Sequence, residues 1–266
     1  MISKKEHALN KEILKRLSGT PRAVAEWLLN DAEVKQLQDY ANIVSIKRLG
    51  FNDHGPVHMR VVAINALTIV TLLHNAGVPL TLETEGAGTA EDSIVAILIA
   101  ALLHDIGMSV GREHHERNAV TLARPIIDRL LEDIYPTRLA TRVVIRSLAM
   151  ECMLGHMATQ RIHSLEAGVV LIADGCDMEK GRARIPMLLS TESRVGDIHK
   201  YSSAAIQDVT IDKGAKRPVR ITITMSDTVG FFQIEEVLFK KINYSTVKPY
   251  VELFAGISAA NMKCYL

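Results

Sequence analysis

The sequence predicts a mainly α protein: a helical array over about residues 1–200, followed by a small α+β domain over about residues 201–266. Three observations carry this. Up to about residue 200 the apolar residues recur at helical spacing, punctuated by residues that cap or break helices. The run from Ile94 to Leu103 is apolar on every side, which requires a surrounding shell of other elements. Beyond about residue 200 the pattern becomes the two-residue alternation of strands, in "IQDVTID" and "VRITITM". With 266 residues, 48% of them hydrophobic, the chain can bury one large core, or a medium one and a small one.

The elements can be justified in order. The start, "MISKKEHALNKEILKRL", is charged and helical in period and does not have the pattern of a secretory signal. A helix opens near Pro56, a residue suited to a first helical position, and closes at "NAGVP", where Gly77 can take the left-handed conformation and Pro79 prevents continuation. His58 falls in its first turn. Thr89 caps the next helix, which runs through Leu103 into "HD". A third begins near His114 and ends around Tyr135, with Pro125 expected to kink or divide it. A fourth runs from Pro136 towards Cys152. Ser164 caps a fifth, which carries "LEAGVVLIAD" to Asp174 or on to Asp177. The C-terminal domain reads as β-β-α-β: a hairpin turning through "KGAKRP", a helix around Phe231 to Lys241, and a strand near "PYVELFAGI". The cations of the hairpin turn, Lys213, Lys216, Arg217 and Arg220, read as a solvated loop.

Charge and composition narrow the function. With 31 basic and 30 acidic residues the net charge is +1, so no global field favours nucleic acid or an anionic membrane, and any anionic substrate must be held locally. The Ile94 to Leu103 run is far shorter than the ~20 residues of a membrane span. Three cysteines, Cys152, Cys176 and Cys264, form no CxxC pair and fit a reducing cytoplasm. The expectation is a cytoplasmic protein with no nucleic-acid or membrane partner.

What remains is a recurring placement of imidazoles and carboxylates at helix ends: His54 and His58, His104 and Asp105, His114 and His115, His156, then Asp174 and Asp177. Each would carry a desolvation cost if buried without a partner, and convergence on a metal ion removes that cost. No Gly-rich phosphate loop or Ser-His-Asp order competes with a metal reading.

The ordered segments "NDHGPVHMRVVAINAL", "AALLHDIGMSVGREHHERNA", "GHM" and "VVLIADGCDMEKGRARIP" resemble the HD superfamily of metal-dependent phosphohydrolases, and most of all its archaeal-type members with a C-terminal α/β extension. The match covers about residues 50–190. The resemblance implies His58, His104, Asp105 and Asp174 as a basic ligand set, with His115 and His156 added in dinuclear members and Asp105 bridging two ions. His54 stays open as an alternative or addition to His58, and His114 as an alternative to His115. Asp177 reads as a group that orients a ligand. Catalytic roles fall to His104, Asp105, Arg182 and Arg184, and substrate contacts to Arg112, Lys180, Arg182 and Arg184, whose cations suit phosphate oxygens.

Four imidazoles and two carboxylates suit Mn, Fe, Co, Ni or Zn. The implied activity is hydrolysis of a phosphomonoester or phosphodiester of a nucleotide or small phosphorylated metabolite by a metal-activated hydroxide. Two other readings stay open: a di-iron oxygenase of the same fold, and a non-catalytic sensor of metal or nucleotide. The strand edges of the small C-terminal domain suit a homodimer.

Overall fold

The computed structural model describes residues 2–178, 197–258 and 261–266. At its centre is the helix that the sequence makes apolar all round. We number the helices and strands in chain order. Helices α1 (Lys4–Lys15), α2 (Gly19–Asn30) and α3 (Ala32–Ile43) lead through a π turn (Val44–Arg48) to α4 (Pro56–Asn75). The short α5 (Thr81–Thr84) then precedes the central α6 (Ala90–Leu103). Every residue of α6 from Val95 to Leu103 is fully buried, under α2, α4, α8 (Leu139–Gly155) and α9 (Leu165–Cys176). Its first turn is a capping box. The Thr89 hydroxyl accepts from the Asp92 amide at 3.2 Å, and the Asp92 carboxylate accepts from the Thr89 amide at 3.0 Å.

The expected helix boundaries fall where the caps placed them. Pro56 opens α4, which ends at Asn75, and Gly77 has φ +73. Ser164 caps α9 by accepting from the Ala167 amide at 3.1 Å. Of the two effects expected of Pro125, a kink or a division, the division is corrected: α7 runs as one helix over His115–Ile134. Pro125 and Thr121 lie on the exposed face, so the carbonyl that loses its helical partner can be met by water. The fourth helix, α8, starts at Leu139, later than Pro136, because Tyr135–Arg138 form a turn in which the Arg138 amide donates to the Tyr135 carbonyl at 3.2 Å.

Two helical stretches, Pro56–Asn75 and Ala90–Ser109, are long and apolar enough on average to cross a membrane, although no uninterrupted apolar run reaches that length. Single polar residues such as His58, Asn65 and His104 break the runs while the mean stays high. Both stretches are mostly buried within the protein, where they carry candidate site residues.

The C-terminal region opens with α10 (Asp197–Ala205), β1 (Ile206–Lys213) and β2 (Val219–Met225). Then α11 (Gly230–Gln233), a π turn (Ile234–Leu238) and α12 (Phe239–Tyr244) follow one another without a gap. Strands β3 (Val251–Gly256) and β4 (Lys263–Cys264) complete a sheet of order β1-β2-β3-β4. The expected β-β-α-β unit is present, with β4 as an additional two-residue edge strand. β1 pairs antiparallel with β2, whereas β2 and β3 are parallel, and the α11–α12 segment supplies the crossover that parallel pairing needs. Val219, Ile221, Ile223 and Met225 alternate inward along β2 and are fully buried.

Of the cations of the hairpin turn, Lys213 and Lys216 are exposed as expected, but Arg217 and Arg220 are not simply solvated. Glu252 on β3 is buried and accepts from the Lys216 amide, from the Arg217 amide at 2.7 Å, and from Arg220 Nη2 at 2.8 Å. Arg217 Nη1 donates to the Val251 carbonyl at 2.6 Å. Burial alone would raise the Glu252 carboxyl, but these donors bring it down to about 2.

Candidate metal centre

Four histidines and two aspartates, scattered over 117 positions from His58 to Asp174, meet beneath the ends of α4, α6, α7, α8 and α9. Each arrives for a local reason. His58 sits in the first turn of α4, opened by Pro56. His104 is the C-terminal cap of α6, and Asp105 follows as the chain turns into a 3₁₀ segment (Ile106–Ser109). Gly107 in that segment lies directly under α7. A Cβ there would stand 2.0 Å from the His115 carbonyl oxygen and 2.5 Å from the Ala119 nitrogen. Lack of a side chain at residue 107 is therefore what lets α7 bring His115 beside Asp105. His156 caps the end of α8, and Asp174 lies in the last turn of α9.

The hydrogen bonds fix which nitrogen of each ring faces inward. His104 Nδ1 donates to the Ala101 carbonyl at 3.1 Å, His115 Nδ1 to the Arg112 carbonyl at 2.9 Å, and His156 Nδ1 to the Met153 carbonyl at 2.6 Å. His58 Nδ1 donates to the Asp177 carboxylate at 2.6 Å. Acceptors of this kind hold the proton on Nδ1, so each neutral ring turns an Nε2 lone pair to the interior. Those lone pairs face one another: His58 and His104 Nε2 are 3.2 Å apart, and His115 and His156 Nε2 are 3.1 Å apart. Two unprotonated nitrogens that close repel unless a cation stands between or beside them.

The carboxylates supply the counter-charge. Asp105 Oδ2 is 3.2 Å from His58 Nε2 and 3.4 Å from His104 Nε2, while its Oδ1 is 3.3 Å from His115 Nε2 and 3.5 Å from His156 Nε2. One carboxylate thus touches both histidine pairs, one oxygen to each. Asp174 Oδ1 lies 3.2 Å from His58 Nε2. Two groups, His58-His104-Asp174 and His104-Asp105-His156, have ligand atoms all within 4.8 Å of one another and could hold metal ions.

All six residues are buried, at 6% exposure or less. Burial would raise Asp105, but the adjoining imidazoles, His104 first and then His54, hold it well below the usual carboxylate range. Asp174 is likewise held well below that range, with the Lys241 ammonium the largest influence opposing burial. Burial brings His156 down to about 4, so its ring stays neutral at ordinary pH. Burial pushes the Cys152 and Cys176 thiols up, which leaves them protonated and consistent with a ligand set of nitrogen and oxygen alone.

The structure also separates the paired candidates. His114 has φ +53 and an exposed side chain directed away from the cluster, beside Glu116, so His115 is the inward member. His54 lies next to the cluster, its ring centroid 5.9 Å from that of His58, but both nitrogens are engaged elsewhere. Its Nδ1 is 2.7 Å from the Asn52 carbonyl, and its Nε2 is 3.4 Å from Arg112 Nη1. Arg112 is therefore close to the cluster, with its guanidinium over the Phe51 ring at 5.4 Å. Asp177 is the group that orients His58. Lys180, Arg182 and Arg184 lie outside the described residues.

One residue of the centre was missed from the sequence. Lys241 of α12 is buried and its ammonium forms an ion pair with Asp174 Oδ2. A signal existed: Lys241 falls three residues after Leu238 and beside Ile242, on a face otherwise apolar and fully buried. A lysine on such a face calls for a buried partner.

No family model matches the chain, and no solved structure matches it. The chain is 36% identical over 246 residues to the uncharacterized protein MJ1020 of Methanocaldococcus jannaschii, a match covering 92% of this chain and 93% of that protein. Similarity of that extent runs through both the helical array and the C-terminal sheet, and this chain belongs to the same family as MJ1020.

Proposed function

We propose that the protein is a metal-dependent phosphohydrolase of the HD type, holding two divalent ions and cleaving a phosphomonoester or phosphodiester of a nucleotide or small phosphorylated metabolite. The observation that carries the reading is the shared carboxylate: Asp105 offers one oxygen to the His58-His104 pair and the other to the His115-His156 pair. The residues fit such ions on chemical grounds, because four inward lone pairs and two ionised carboxylates otherwise crowd a dry interior. His58, His104, Asp174 and Asp105 would hold one ion, and His115, His156 and Asp105 the other.

Divalent ions so held supply Lewis acidity for a water nucleophile and counter-charge for phosphoryl oxygens. The chain's own residues supply the rest. Asp177 and the carbonyls of Ala101, Arg112 and Met153 lock the four rings in one tautomer and one orientation. The burial of His104, Asp105 and His156 keeps bulk water from the cluster. Arg112, beside His54 and only part-buried, would pair with a phosphoryl oxygen, and Arg182 and Arg184 are assigned the same task from sequence.

The test uses a panel of phosphomonoesters, nucleotides and cyclic nucleotides under strict anaerobiosis with Mn or Co. Release of inorganic phosphate, or of the free nucleotide from a cyclic one, is expected, and loss of that turnover in His104→Ala. Product formed only with iron and oxygen, with no hydrolysis of any panel member, contradicts the reading and favours an oxygenase.

A further inference from the structure

The ion pair between Lys241 and Asp174 joins two parts of the chain that the sequence treats as separate domains, and its geometry divides the work of one carboxylate. Asp174 Oδ2 is taken by the lysine ammonium, while Oδ1 faces His58 Nε2 at 3.2 Å and His104 Nε2 at 3.9 Å. An ammonium has three donors and no lone pair, so Lys241 cannot itself be a ligand. It can only fix how Asp174 is presented.

The packing around this contact is built for close approach. Gly168 and Gly175 lie two turns apart on α9 and face the C-terminal region. A Cβ at Gly168 would stand 2.3 Å from Thr246 Oγ1, and one at Gly175 would stand 3.0 Å from Leu238 Cδ1 and 3.1 Å from Lys241 Cδ. Into that space Ser245 donates its hydroxyl to the Gly168 carbonyl at 3.0 Å, and Thr246 donates to the Ser164 carbonyl at 2.7 Å. The segment carrying Lys241 is thus clamped to the backbone of the helix carrying Asp174. The lysine answers to Asp174 and not to packing: an apolar side chain between Leu238 and Ile242 would leave the buried carboxylate without a counter-charge.

We propose that Lys241 is a positioning residue of the metal centre. It is delivered by the C-terminal region and holds Asp174 by one oxygen, so that the other is presented to the pocket of His58 and His104. The inference rests on the metal-binding reading above and adds a role for the C-terminal region within it: completing the surroundings of one ion.

The experiment is a cobalt titration of the full-length, metal-free protein, followed by calorimetry and by the visible absorption of bound cobalt. The wild type should show two binding events. In Lys241→Met the event assigned to the His58, His104 and Asp174 pocket should weaken by about 10- to 100-fold, and the other should stay within about twofold. Lys241→Arg, which still grips a carboxylate oxygen, should recover most of the loss. Lys240→Met, an exposed neighbour paired with Glu236, should change neither event. If Lys241→Met does not fold by circular dichroism, Lys241→Gln serves instead. It keeps a hydrogen-bond donor but not the charge, and should weaken the same event by at least about threefold. Affinity within about twofold of wild type in Lys241→Met, or in Lys241→Gln where that variant is used, overturns the positioning role and leaves the metal centre intact. Failure of the wild type to bind cobalt removes the metal centre, and this inference with it.

Discussion

Replacing Gly107 by alanine perturbs the centre without replacing a candidate ligand. The added Cβ would lie 2.0 Å from the His115 oxygen, 2.5 Å from the Ala119 nitrogen and 2.9 Å from the His115 carbonyl carbon. All three are backbone atoms of α7, which cannot rotate aside as a side chain would. Bringing the first contact to 3.0 Å, below which real Cβ contacts essentially never fall, requires about 1 Å of movement between the 3₁₀ segment and α7. His115 Nε2 now lies 3.1 Å from His156 Nε2 and 3.3 Å from Asp105 Oδ1, so the same movement opens that half of the cluster. Overpacking of this kind costs about 1–3 kcal/mol. At about 2–4 °C per kcal/mol for a chain of this size, the melting temperature should fall by roughly 2–12 °C. Scanning calorimetry measures the loss, and metal analysis should show the variant retaining less metal per chain than the wild type. A melting temperature within about 1 °C of wild type, with unchanged metal content, would refute the argument that Gly107 sets the approach of α7.

Other outcomes test other parts of the account. Asp177→Ala removes the acceptor that orients His58 and should weaken metal binding by about 10- to 100-fold while leaving helical content unchanged; equal affinity in a competition titration returns Asp177 to a surface role. Glu252 has a folded pKa of about 2 against an ordinary 4.5, so its contribution to stability is fully present above pH 4.5 and is lost as pH falls towards 2. Wild type and Glu252→Gln should therefore converge in denaturant stability across that window, and a constant gap from pH 5 to pH 2 contradicts the linkage.

The legible parts of this molecule were those in which a local rule coincides with the final environment. Thr89, Ser164, Pro56 and Gly77 act within a few residues of themselves, so the ends of α4, α6 and α9 could be read directly. His58, His104 and Asp174 fall at ends of those helices, but the ligand set as a whole, with His115 at the start of α7 and His156 at the end of α8, came from the resemblance in the sequence. The choice of His115 over His114 rested on resemblance in the sequence, and the structure gives its physical reason in the left-handed backbone at His114. Pro125 misled because its cost depends on what surrounds the orphaned carbonyl, and an exposed face makes the break unnecessary. Lys241 was missed because its partner lies 67 residues away, across a change from helical to strand periodicity that marks the chain as two units. Arg217 and Arg220 were taken as solvated because Glu252, which collects them, is brought to the turn only by the parallel pairing of β2 with β3.

The central claim is that Asp105 joins two metal pockets, and elemental analysis of the purified protein and of Asp105→Ala tests it most directly, with circular dichroism to confirm that the helices persist. The account predicts one to two transition-metal ions per wild-type chain and their loss in the variant, because both histidine pairs lose the oxygen they share. Unchanged metal content in a folded Asp105→Ala protein, or no metal uptake by the wild type after reconstitution with Mn, Fe, Co, Ni or Zn, would contradict it.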